Sequence, residues 1–317
     1  MHSSLPSAGS PTTCLSTLLG SSAVRTLARR LALGLLILGL AACSTPRQLL
    51  LRGVADSLTS QEQGGEDDLQ LAREASAFYL KLSESLALEL PDHLSLAQSL
   101  ASGFTQYAYA FVATEAERLE ARDSKAAQAL RERAARLYAR ARRHALAALE
   151  RSQSGFAAAL ASPRPQDWPQ LSKEQVGLAY WGAASWGGLI SLSKDSPEVV
   201  ADLPLAVRLA SLAYARQPDY GNGALAILMG SFELARSGGS AAQALRYFDQ
   251  AIALGGQRSA APWMAKAENV AQAAGDRDSF EALLRQALAV SAAHPDLPNT
   301  VTADRARWLL ASADDLF

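Results

Sequence analysis

The chain has 317 residues, 49% hydrophobic and 19% charged, with a formal net charge of −1. That composition excludes a disordered or fibrous chain and suits one large helical domain, or two small ones, with a real buried core. A near-neutral balance also argues against nucleic acid as a partner, since phosphate binding needs a strong excess of lysine and arginine.

Up to Ala42 there is no acidic residue, only Arg25, Arg29 and Arg30, followed by the apolar run Leu31–Leu40. This is the layout of an export signal peptide covering residues 1–42. Roughly ten apolar residues cannot span a hydrocarbon layer of about 30 Å, so a lasting anchor must come from elsewhere. Leu40-Ala41-Ala42-Cys43 supplies it: small residues before a cysteine match the lipobox of bacterial lipoproteins, whose cysteine carries the lipid. Stable anchoring takes more than one acyl chain. Removal of residues 1–42 moves the charge from −1 to about −4. Cys14 leaves with the signal and Cys43 is used for lipid, so no cysteine remains for a disulfide or a thiolate metal site. His93, His144 and His294 lack a second histidine at helical spacing, so neither a metal nor another cofactor is expected.

Residues 43–65 read as a lipidated tether with a short helical start, ending at the break Gln61-Glu62-Gln63-Gly64-Gly65. From residue 66 to 317 everything is predicted to be helical: Ala and Leu dominate and apolar positions recur three and four apart. The expected helices are Asp67–Leu90, Ser95–Ala121, Ser124–Ser154, Ser172–Ser191, Pro197–Arg216, Gly223–Ser237, Ala241–Leu254, Pro262–Ala274, Asp278–Ser291 and Ala303–Ala313. Their short connections imply antiparallel hairpins. Ala134, Tyr138 and Ala141 share a 0, 4, 7 spacing with Ala206, Ala210 and Ala213, with Ala244, Phe248 and Ala251, and with Phe280, Leu284 and Ala287. The last three sets recur at about 36 to 38 residues, the second-helix pattern of degenerate tetratricopeptide repeats without the usual Trp-Leu-Gly signature.

The most unusual stretch is Tyr180–Asp195, which places Gly182, Gly187 and Gly188 inside a predicted helix between and beside Trp181 and Trp186. Each such glycine costs roughly 1 kcal/mol relative to alanine, so close packing or a ligand-lining role must offset it. Both readings stand on sequence alone. Lys194-Asp195 is expected to end the helix. No glycine-rich phosphate loop, nucleophile elbow or His-Glu-x-x-His pattern occurs, and the acidic residues fall mostly in charged runs, so no enzymatic activity is expected. Glu233, flanked by Phe232 and Leu234, is the best candidate for an acid catalyst.

Tyr180-Trp181, the small-residue block, Trp186 and Ile190-Ser191 before Lys194-Asp195 resemble the TRAP transporter T-component family. The resemblance continues through Ala201-Asp202-Leu203-Pro204, Pro218-Asp219-Tyr220, Gly223-Ala224, the run from Ala244 to Ala251 and Asp276–Phe280. It implies a periplasmic lipoprotein of tetratricopeptide-like helices that docks the solute-binding protein of a tripartite ATP-independent periplasmic system and passes on a small hydrophobic or carboxylate ligand. It also implies a homo-oligomer, a trimer being one form. Carried over by position, Tyr180, Trp181, Trp186, Lys194 and Asp195 become ligand or partner contacts. The resemblance departs at Leu225-Ala226-Ile227-Leu228, where family members often carry a polar or aromatic residue. By the enteric sorting rule, Ser44 after the lipidated cysteine directs the protein to the periplasmic face of the outer membrane. The competing expectation is a general scaffold lipoprotein of the cell envelope, offering a peptide groove and no ligand site.

Overall fold

The computed structural model describes residues 44–60 and 66–317; the expected signal peptide 1–42, Cys43 and the expected Gln61–Gly65 break lie outside the described residues. Backbone contacts divide the chain at Leu50, and everything beyond the first turns of α1 falls in the second unit, Leu51–Phe317. Among the described residues no strand forms, and no helix is long and apolar enough to cross a membrane. The fold is all-α.

In chain order the helices are α1 (Ser44–Ser60), α2 (Leu69–Glu89), α3 (Leu94–Ala108), α4 (Thr114–Leu119), α5 (Ser124–Ser152), α6 (Phe156–Ala161), α7 (Lys173–Ser191) and α8 (Pro197–Val200). They continue as α9 (Leu203–Arg216), α10 (Ala224–Ala235), α11 (Ala241–Gly255), α12 (Ala261–Lys266), α13 (Arg277–Ala293), α14 (Leu297–Ala311) and α15 (Ala313–Leu316). The starts follow local chemistry, because the first amides of a helix lack intrahelical partners. Asp68 accepts from the N–H groups of Gln70 and Leu71, Asp123 from that of Ala126, and Asp276 from that of Ser279. Ser172 and Gln175 cap α7 reciprocally.

Several boundaries differ from expectation for identifiable reasons. The predicted helix Pro197–Arg216 is two helices, because Pro204 restarts it at the first turn of α9. The last predicted helix begins earlier, at Leu297, where Pro298 and the Asp296 cap set its first turn. The predicted helices Ser95–Ala121 and Pro262–Ala274 each contain a π turn, Tyr109–Ala113 and Ala267–Ala271. α1 is a helix through Ser60, longer than the short start expected, and it docks Ala55 against Leu90 and Leu96.

Helix α7 lies at the centre, packed against α3, α5 and α9. Its core includes Leu149, Phe156, Leu178, Trp186, Leu209, Leu225 and Phe232, each worth about 1.5–3 kcal/mol when fully buried. A Cβ on Gly188 would stand 2.7 Å from the Tyr138 ring and one on Gly187 2.8 Å from Phe232, so these glycines let α5 and α10 approach. Every residue of the four 0, 4, 7 sets is buried. Three of the seven arginines of α5 pair with carboxylates of neighbouring elements: Arg131 with Glu120, Arg140 with Glu84, and Arg142 with Asp202 at 3.2 Å.

Candidate functional site

The structure separates the five residues singled out by sequence. Tyr180 and Trp181 meet edge to face, their rings 4.7 Å apart, and Tyr220 lies 5.2 Å from Tyr180. Tyr220 is delivered there by a turn in which Gly221, Asn222 and Gly223 all take positive φ, a conformation that favours glycine and asparagine. Burial pushes the Tyr180 phenol up. Trp186 points elsewhere: its Nε1–H donates to Asp202 at 3.1 Å while Arg142 covers its ring at 4.9 Å and pairs with the same carboxylate. Lys194 and Asp195 sit exposed on the turn after α7. Trp186 therefore has a packing role, and the exposed turn beside α7 is an accessible edge.

Glu233 is buried but paired. Arg236 donates to both of its carboxylate oxygens at 2.9 and 2.7 Å, and the Ser240 N–H donates at 2.8 Å. Arg236 above all holds this carboxyl below its usual range, the opposite of what an acid catalyst needs.

A cavity of about 760 Å³ opens at a place sequence reasoning did not single out. Its walls come from the start of α2 (Leu69, Arg73), the end of α3 with the first π turn (Tyr107, Phe111), α4 (Glu115, Arg118) and α14 (Val301, Asp304, Arg305). That volume lies within the range of small-molecule sites. The cavity exists because α14 returns to the N-terminal helices. Arg118 donates to Asp304 at 2.6 Å, and Arg305, 8% exposed, donates to Glu117 at 2.8 Å and to Glu268 at 2.6 and 3.0 Å. Glu268 stands in the second π turn, and Tyr109, in the first, lies beneath the Arg305 guanidinium at 5.7 Å. The first π turn is steadied by Thr114, whose hydroxyl donates to the Tyr109 carbonyl at 2.9 Å. π turns are rare and gather at functional sites. Nothing in the sequence marks either one, since neither contains proline or glycine.

None of Tyr180, Trp181, Trp186, Lys194 and Asp195 lines this cavity. The two regions are distinct: an aromatic edge beside α7, and a charged recess between the two ends of the helical array.

A protein of Treponema pallidum (strain Nichols) that carries the name "Uncharacterized protein" is 28% identical to this chain over 262 residues, covering 80% of this chain and 81% of its own length. The profile of the TRAP transporter T-component family matches residues 65–317. That span holds the α7 core, the Tyr180–Tyr220 contact and all four walls of the cavity, so the match covers the whole folded array after α1. On that ground the chain belongs to the TRAP transporter T-component family.

Proposed function

We propose that this T-component is a lipid-anchored periplasmic accessory of a TRAP transport system. It docks the system's solute-binding protein, handles a small ligand, and catalyses no reaction. The family match over residues 65–317 carries the reading. The helical hairpins act as degenerate tetratricopeptide repeats, a reading supported by the burial of all four 0, 4, 7 triplets. Lipid on Cys43 holds the protein to the periplasmic face of the outer membrane, and the partner meets two places along α7, the Tyr180–Trp181 pair at its middle and the exposed turn at Lys194 and Asp195 after its end. The recess closed by α14 is the place for ligand.

The test is recovery of bound proteins from envelope extracts of the native bacterium, using the full lipidated chain in detergent alongside Trp181→Ala and Lys194→Glu. Capture of a solute-binding protein that weakens in these variants supports docking at this edge. Capture of assembly factors or wall enzymes instead, indifferent to both substitutions, would replace transport with the envelope-scaffold reading.

A further inference from the structure

We propose that the cavity beside α14 binds a small zwitterion with an apolar body, the class of free apolar amino acids. This names the ligand class for the ligand-handling part of the reading above and rests on it, though binding itself needs no partner protein. Several charges lining the cavity are already paired, Arg118 with Asp304 and Arg305 with Glu117 and Glu268, while Glu74, at the exposed rim, accepts from the side-chain amide of Gln70 at 3.1 Å. Three groups remain. The Arg73 guanidinium, the Glu115 carboxylate and the Tyr107 hydroxyl have no polar partner among the described residues. The Tyr107 ring is fixed edge-on against Phe111 at 5.5 Å, and on the same cavity wall the Arg118 Nε is buried without a hydrogen bond.

Native proteins rarely leave a buried polar atom such as the Arg118 Nε unsatisfied, and a recess with one cation and one carboxylate that lack partners among the described residues suits a ligand bearing both charges. A simple carboxylate would satisfy Arg73 and Tyr107 and leave Glu115 unmatched. An amine would do the reverse. A dicarboxylate would bring its second charge towards Glu115, Glu74 and Asp304, where like charges repel. Leu69, Ala77, Phe111 and Val301 supply apolar wall for a hydrocarbon side chain. The carboxylate therefore goes to Arg73 with Tyr107, and the ammonium to Glu115.

The experiment is calorimetric titration of the full chain in detergent with L-leucine, L-methionine and L-phenylalanine. Two analogues of leucine each lack one charge: 4-methylpentanoate and 3-methylbutylamine. At least one amino acid is expected to bind saturably, with both one-charge analogues of leucine at least about tenfold weaker than leucine if leucine is the ligand taken. Arg73→Gln and Glu115→Gln should each weaken binding about tenfold and Tyr107→Phe a few-fold, with unchanged circular dichroism. Absence of binding by all three amino acids overturns the proposal. So does 4-methylpentanoate binding as tightly as leucine with no effect of Glu115→Gln. Loss of the solute-binding protein in the pull-down, by contrast, would sink docking and leave this titration untouched.

Discussion

Glu84 shows how much a single side chain ties together. It leaves the end of α2 and accepts from Arg140 and from His144 Nε2, the latter at 3.0 Å, while Lys81 on its own helix reaches it at 2.8 Å. Burial alone would raise its carboxyl, but the hydrogen bonds from Arg140, Lys81 and His144 win and lower it to about 2 from an ordinary value of 4.5. A depressed acid stabilises the fold fully above its unfolded value, so this contribution is present above pH 4.5 and is lost as pH falls towards 2. His144 acts over a higher window: burial lowers its imidazole below the ordinary 6.5, so the unfolded chain takes up that proton first and stability also declines below 6.5. Glu84→Gln should cost about 1–3 kcal/mol at neutral pH and flatten the loss of stability between pH 4.5 and 2, as read by urea melts across pH. A melt series parallel to that of the parent would show that Glu84 does not set the acid limb.

Gly188 tests the packing reading of α7 in the same way. In an exposed helix interior Gly→Ala stabilises by close to 1 kcal/mol. Here the new methyl meets the Tyr138 ring, so Gly188→Ala should destabilise by about 1–3 kcal/mol. A raised Tm would mean the ring yields freely. The glycine block was legible in the sequence because helix-weakening residues in a helical run demand an offsetting contact. The cavity residues were not: Arg73, Tyr107 and Glu115 each sit in ordinary amphipathic helix, and only their lack of partners in three dimensions distinguishes them.

Among the elements, those with strong local chemistry were read well and those shaped by distant contacts were not. α5 and α7 begin within a residue of expectation because Asp123 and Ser172 cap them. The π turns escaped because no proline or glycine marks them, and what joins them lies far apart in the chain: Tyr109 and Glu268 meet at one arginine of α14. Arg305 is thus the fastening of the last long helix. Arg305→Ala removes its charge, leaves Glu117 and Glu268 facing an emptied site, and should cost about 2–3 kcal/mol, between the values for exposed and buried pairs. Differential scanning calorimetry reads this directly. A loss under about 0.5 kcal/mol would mean the contacts of Leu309 and Ala306 with Phe280 and Leu284 suffice to hold α14 without it.

Across residues 51–317 the returning last helix bears on cooperativity. A stack of helical hairpins in which each unit touches only its neighbours tends to fray from its ends, because terminal units have one interface in place of two. This chain gives its last long helix a second interface, with α2 and α4, through Arg118–Asp304 and Arg305–Glu117, contacts that link residues more than 180 positions apart. The hydrophobic period foretold the helices, but no periodicity reports that the far end comes back. Such closure depends on the sum of small rotations between helices and on a few side chains at the meeting point. It follows that amides of α14 exchange with deuterium as slowly as those of α7 in the parent protein, in one cooperative unit. In the Arg118→Ala/Arg305→Ala double variant, α14 amides should exchange at least about tenfold faster while those of α7 stay protected, since loss of 1.4 kcal/mol of local stability already gives that factor. Fast exchange of α14 in the parent would mean the returning contacts add no stability, and the recess they enclose would then be open for much of the time. Uniform acceleration of α7 and α14 in the double variant would mean that the closure holds the whole core and is more than a latch on its last helix.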